Sequence, residues 1–141
     1  MDALTHRTDG RWCMVVVRCG HCAGIDALAH IVEHFPVIGV TLGLGPALGC
    51  AAATGLGEEV IKTTGSFLVV ELMRQGYDPT AACEEALNRV IKRHNGNPDF
   101  QIAYIAIRKD GKIGSACIKW SFEYALAQGG VNKLHKVKGM I

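Results

Sequence analysis

The sequence predicts an α+β fold, and three observations carry that expectation. Residues 56–75 and 78–94 have the spacing and boundaries of two successive helices. Short β-branched or small-residue runs lie on both sides of this helical block. Asp110-Gly111 joins two of the later runs as a hairpin turn. Strands grouped around a block of helices, without strict alternation, give the α+β class. The chain has 141 residues, 49% hydrophobic and 20% charged, which suits one packed core.

Residues 1–12 are polar and show no period. Cys13-Met14-Val15-Val16-Val17 is apolar and β-branched, so it predicts a buried strand. Residues 18–24 read as a turn. Residues 25–35 read as a short helix with Leu28, Ile31, Val32 and Phe35 on one face. Residues 36–46 are glycine-rich and suit a loop or an irregular strand. Residues 47–54 predict a strand of small side chains.

The helix expected over 56–75 has Thr54 placed to cap its start and Glu58 and Glu59 at its positive end. Val60, Ile61, Phe67, Leu68, Leu72 and Met73 form its apolar face, widened by Val69 and Val70, and Gly76 ends it. Asp78 caps the next helix, with Pro79 at its first position. Ala82, Cys83, Ala86, Leu87, Val90 and Ile91 line its buried face, which makes Cys83 a small core residue. Glu85 and Arg89 pair on the opposite face, and Asn95-Gly96 stops the helix. Strands follow over 101–107, 112–118 and 122–127. From Gly129 onward, Lys133, Lys136 and Lys138 read as a solvated end.

Bulk properties exclude several function classes. A net charge of +2 points to no nucleic acid and no acidic polymer as partner. No apolar stretch reaches the length of a membrane span. Residues 1–7 lack the apolar core of a signal peptide, which favours a cytoplasmic location. Six cysteines, with Cys19 and Cys22 close together and Cys13, Cys50, Cys83 and Cys117 scattered, fit reduced thiols better than a disulfide framework.

The chain turns on Gly49-Cys50-Ala51-Ala52-Ala53-Thr54-Gly55-Leu56-Gly57-Glu58-Glu59. Small residues let the backbone approach a neighbour closely. Free N–H groups at a helix start suit an oxyanion or a carboxylate, although physics alone favours an ordinary capped helix after a tight turn. This stretch continues as Val60-Ile61-Lys62-Thr63-Thr64-Gly65-Ser66-Phe67, and later segments read Pro79-Thr80-Ala81-Ala82-Cys83, Asp99-Phe100-Gln101 and Gly114-Ser115-Ala116-Cys117. Together they resemble the β chain of glycosylasparaginase, in the type 2 asparaginase family of N-terminal-nucleophile hydrolases. The likeness covers residues 36–128. It divides the chain into an altered stretch over 1–35, the matching region, and a tail over 129–141.

The resemblance implies half of a four-layer αββα sandwich, with an α chain of the same precursor supplying the rest. It implies an asparagine-linked amide as small-molecule substrate, a homo-oligomer of α/β pairs and no cofactor. By resemblance, Thr54 and Gly55 form the oxyanion hole, and the binding loop runs on through Leu56 and Gly57. The family's nucleophile is a threonine whose own α-amine takes its proton. An α-amine has a pKa near ~8, so much of it is free base at neutral pH.

Two parts of that machinery are not visible here. Met14-Val15-Val16-Val17 resembles the first strand of the β chain, which places the nucleophile at Arg11 and the following glycine at Cys13. The arginine and aspartate that grip the substrate's carboxylate and amine fall on Ile31 and His34. Neither side chain can replace them. The resemblance therefore predicts either an amidohydrolase component with no identifiable nucleophile or an inactive fragment that only packs or dimerises.

Two remote readings complete the picture. Cys19-Gly20-His21-Cys22 has the spacing of a thiol–disulfide site, but its surroundings do not form a thioredoxin pattern. Cys19, Cys22, His30 and His34 are residue types that zinc accepts, in a spacing shorter than a finger's, so no metal is expected. Trp12 and Trp120 read as packing residues.

Overall fold

The computed structural model describes residues 13–18, 27–31, 40–42, 49–108, 110–128 and 131–141. Strands β1 (Cys13–Arg18), β2 (Ala27–Ile31), β3 (Val40–Leu42) and β4 (Gly49–Gly55) come first. Helices α1 (Gly57–Lys62), α2 (Gly65–Arg74) and α3 (Pro79–Arg93) follow, and then strands β5 (Ile102–Arg108), β6 (Ile113–Cys117), β7 (Ser121–Gln128) and β8 (Val131–Lys138). These strands form two four-stranded sheets, ordered β2-β1-β7-β8 and β3-β4-β5-β6. Neighbours are antiparallel except β1 and β7, which run parallel. The architecture is α+β.

Period-two alternation along β4 and β5 sets the layers. Ala51, Ala53, Ile102, Tyr104 and Ala106 pack with Val69, Leu72, Leu87 and Val90 of the helices. Cys50, Ala52, Ala103, Ile105 and Ile107 pack instead with Phe122 and Tyr124 of the other sheet. The β3–β6 sheet is thus covered on both faces, by helices on one side and by β7 on the other. Alanines at 51 and 53 keep that layer thin enough for α2 to lie close to β4.

Two elements follow their local signals. Asp78 accepts a hydrogen bond from Thr80 N–H at 3.1 Å, Pro79 opens α3, and the six residues expected on its core face are buried. Cys83 is fully buried among them, and Glu85 accepts from Arg89 at 2.9 Å. At the β5–β6 turn, Arg108 N–H donates to Lys112 O at 2.8 Å, and Asp110 Oδ1 accepts from Lys112 N–H at 3.1 Å.

Four expectations need correction. The helix over 56–75 is two helices, broken at Thr64, whose φ of 46° lies in the left-handed region. The break sets Gly65 against the Tyr104 hydroxyl, where a methyl group would stand only 1.7 Å away. Because the axis changes there, Ile61 (69% exposed) and Phe67 (46% exposed) leave the buried face assigned to them. Residues 27–31 form β2, paired with β1 from Met14↔Ile31 to Arg18↔Ala27, and not part of a helix; the rest of 25–35 lies outside the described residues. Residues expected as a solvated end form β8, paired with β7 along its length. Its lysines at 133, 136 and 138 are nevertheless exposed, and β8 lies at the outer edge of its sheet.

Candidate active site

Thr54 sits near the end of β4, not at a helix cap. Leu56 holds the N-cap position of α1 and makes no side-chain capping bond there. The physical reason is the ladder: β4 stays paired with β5 through Gly55↔Ile102, so Thr54 keeps extended geometry. It shares its sheet face with Cys50 and Ala52 and points toward the layer between the sheets. Its hydroxyl Oγ1 is buried and has no hydrogen-bond partner among the described residues.

Gly55 follows with φ of 108°, a conformation that side-chain-bearing residues avoid. A methyl group there would stand 2.0 Å from Gln101 O. The hydrogen-bond pattern also fixes where the Gly55 N–H points. Leu56 N–H donates to Gln101 O at 2.9 Å, and Ile102 O accepts from Ile118 N–H at 3.0 Å on the far side of β5. Gly55 and Ile102 are therefore a non-hydrogen-bonded pair, and the Gly55 N–H is directed away from β5. A buried hydroxyl and a glycine N–H thus occur in succession at the end of one strand, with Leu56 and Gly57 leading into α1.

The start of β1 lies at the same end of the sandwich. Thr54 pairs with Ala103, Ala103 with Cys117, and β7 begins only a few residues after Cys117. Cys13, the first residue of β1, is opposite Glu123 near the start of β7. Glu123 is a buried carboxylate, with Lys136 Nζ at 3.9 Å. No feature of the sequence had singled it out.

Behind the site, Glu59 fastens α1 to the end of α3. It is buried, accepts from Lys62 at 3.0 Å and lies 2.8 Å from His94 Nε2, and Arg93 donates to the same carboxylate. The His94 contact, then those of Lys62 and Arg93, hold its carboxyl down at about 2. Thr63 reinforces this turn by donating to Glu59 O at 2.9 Å. Tyr104, beneath the α1–α2 break, has Thr63 beside it but no well-formed hydrogen bond, and burial pushes its hydroxyl up to about 12.

Arg11, Trp12, Cys19, Cys22 and His34 lie outside the described residues, while His30 and Ile31 fall in β2. Among the described residues, no group of three or more metal-binding side chains comes together. Nor, among them, is any helix long and apolar enough to cross a membrane. Trp120, expected as a packing residue, is 69% exposed with φ of 57°, because it forms the corner between β6 and β7. Gln101, which joins this corner to the Gly55–Leu56 backbone, had carried no assigned role.

The family model described as Asparaginase matches residues 38–136. The chain is 44% identical over 107 residues to an N(4)-(Beta-N-acetylglucosaminyl)-L-asparaginase of Elizabethkingia miricola, covering 73% of this chain and 32% of the relative. It is 32% identical over 126 residues to a probable isoaspartyl peptidase/L-asparaginase 3 of Arabidopsis thaliana, covering 78% of this chain and 34% of the relative. It is likewise 32% identical over 126 residues to the N(4)-(beta-N-acetylglucosaminyl)-L-asparaginase of Mus musculus, covering 84% of this chain and 35% of the relative. The chain therefore spans about a third of the length of these relatives.

Proposed function

We propose a function from one premise: this chain belongs to the type 2 asparaginase family, a family of amidohydrolases. The domain is the oxyanion-binding part of an amidase that hydrolyses the side-chain amide of asparagine, free or glycosylated, to aspartate. Thr54 Oγ–H and Gly55 N–H are the two donors. The observation that carries this reading is the Thr54 hydroxyl, buried with no partner among the described residues, beside a glycine whose N–H turns away from β5. A buried polar group without a partner costs about 1–3 kcal/mol. An oxyanion formed at this point would satisfy it.

The reaction follows the N-terminal-threonine scheme. A threonine hydroxyl attacks the amide carbonyl while its α-amine takes the proton. The carbonyl oxygen becomes an oxyanion held by Thr54 and Gly55. One such donor is worth about 3–4 kcal/mol in the transition state. The tetrahedral intermediate expels the amine, protonated by the α-ammonium, and water then releases aspartate from the acyl-threonine. The Leu56–Gly57 backbone continues the substrate loop. An α chain supplies the second helical layer of the four-layer sandwich, and α/β pairs associate further.

A second reading has a specific observation in its favour. Where the nucleophile and clamp fall by count, the chain has Arg11, Ile31 and His34. On that reading the domain is a pseudoenzyme that packs or dimerises without hydrolysis. Both readings predict that the purified chain alone releases no aspartate. Intact mass and N-terminal sequencing of the protein from its source cells, with an aspartylglucosamine assay on the same sample, separates them. A chain beginning at a threonine, bound to an α chain and releasing aspartate, supports the amidase. A chain beginning at Met1, monodisperse and inactive, supports the pseudoenzyme.

A further inference from the structure

One residue closes the end of the sheet that carries Thr54 and Gly55. Gln101 immediately precedes β5, and its backbone and side chain serve opposite neighbours. Its carbonyl oxygen accepts from Leu56 N–H at 2.9 Å, at the junction of β4 and α1. Its carboxamide turns the other way: Oε1 accepts from Lys119 N–H at 2.8 Å, and Nε2 donates to Lys119 O. The side-chain amide thus pairs with Lys119 as a peptide group would, one step beyond the Ile118 N–H to Ile102 O bond at 3.0 Å. The corner that Gln101 grips is itself held, since Trp120 O accepts from Gly139 N–H at 2.9 Å.

The approach of Gly55 gives this clamp a consequence for the site. Gln101 O stands where a methyl group on Gly55 would be, 2.0 Å from that position. The same oxygen accepts from the next peptide N–H, that of Leu56. Tilting the Gln101 carbonyl would release the Leu56 N–H and free the Gly55–Leu56 peptide to rotate about the Gly55 Cα. The carboxamide prevents that tilt by fixing the other end of the residue. Oxyanion donors act only when held about 2.7–3.1 Å from the place where the charge develops.

We propose that Gln101 is a positioning residue for the Thr54–Gly55 pair. It touches no reacting atom; it acts through the Leu56 N–H to hold the Gly55–Leu56 peptide, and so keeps Gly55 at the φ of 108° that sets the direction of its own N–H. The inference rests on the reading of Thr54 and Gly55 as oxyanion donors.

Gln101→Leu removes both carboxamide bonds, and Gln101→Glu keeps the acceptor while losing the donor. Site-resolved amide hydrogen exchange on the full chain, with any co-purifying α chain retained, tests the clamp. Exchange at Leu56 should quicken about tenfold in Gln101→Leu and by less in Gln101→Glu, the scale of one hydrogen bond. Leu87 and Val90 in α3 should exchange as before. Unchanged exchange at Leu56, or equal acceleration at Leu87 and Val90, overturns the proposal. In an assembly that hydrolyses its amide, Gln101→Leu should lower kcat about tenfold with KM unaltered. A higher KM with kcat intact also overturns it. If the unmodified assembly releases no aspartate, the oxyanion reading fails and the catalytic half of the proposal with it. The exchange ratio still decides whether Gln101 holds the junction.

Discussion

Glu59 and His94, 35 positions apart in the chain, meet at 2.8 Å between Oε2 and Nε2. This contact ties the first turn of α1 to the residue that ends α3, and Lys62 and Arg93 complete it. The short helix that follows the Thr54–Gly55 pair is therefore anchored from behind by charge as well as packing.

Acid should release that anchor. The Glu59 carboxyl has an ordinary value of 4.5 and is held at about 2 in the folded chain, first by His94, then by Lys62 and Arg93. A depressed folded-state value means that its contribution is complete above about pH 4.5 and is lost as pH falls toward 2. Glu59→Gln should lower stability by about 2 kcal/mol at pH 7, the scale of hydrogen bonds to a charged group. The difference from the unmodified chain should shrink toward zero near pH 2. Denaturant melts at several pH values would check this; a gap that persists unchanged at pH 2 contradicts it.

Gly55 and Gly76 both have positive φ, 108° and 99°, but only Gly55 is crowded. Gly76→Ala should cost about 1–2 kcal/mol from backbone strain. Gly55→Ala adds a collision with Gln101 O and should cost about 3 kcal/mol or more. Equal losses for the two variants in thermal melts would show that the close approach does not matter.

Thr54→Val separates stability from chemistry. The change replaces a hydroxyl that has no partner among the described residues with a methyl group of similar shape. Stability should hold or rise by about 1 kcal/mol. In a hydrolytically competent assembly, loss of the donor should lower kcat by about 10²–10³-fold. A marked loss of stability would mean that the hydroxyl has a structural partner in the assembled protein.

Cys83 should resist thiol reagents in the folded chain. Burial pushes its thiol well above the ordinary cysteine range, and its side chain is fully enclosed in α3. Mass-resolved labelling at pH 8 should leave Cys83 unmodified until denaturant is added. Rapid labelling under native conditions would refute its place in the core.

Strong local signals were legible in the sequence. Asp78-Pro79, the apolar face of α3 and Asp110-Gly111 each encode their structure within a few residues, and each appears as expected. The break between α1 and α2 has no such local mark. Thr63 and Thr64 fit a helix, and the cause lies 40 positions away, in the Tyr104 hydroxyl that seats Gly65. Pairing with β1 likewise overrides the helical spacing of Leu28 and Ile31. At the site, the Thr-Gly pair stood out in sequence, but its geometry did not. Thr54 looked like a cap because caps and strand ends use the same residue types, and only pairing with Ala103 decides between them. Gln101 was hidden because a glutamine before a strand has no signature until its carboxamide finds Lys119.

The lysines of β8 have a consequence for how the molecule behaves in concentrated solution. An outermost strand invites pairing with another copy, and like charges at 133, 136 and 138 oppose it. That repulsion reaches about 10 Å in 0.1 M salt but only about 3 Å in 1 M salt. Any self-association through this strand should therefore depend on ionic strength: dilute buffer opposes it, and concentrated salt weakens that opposition.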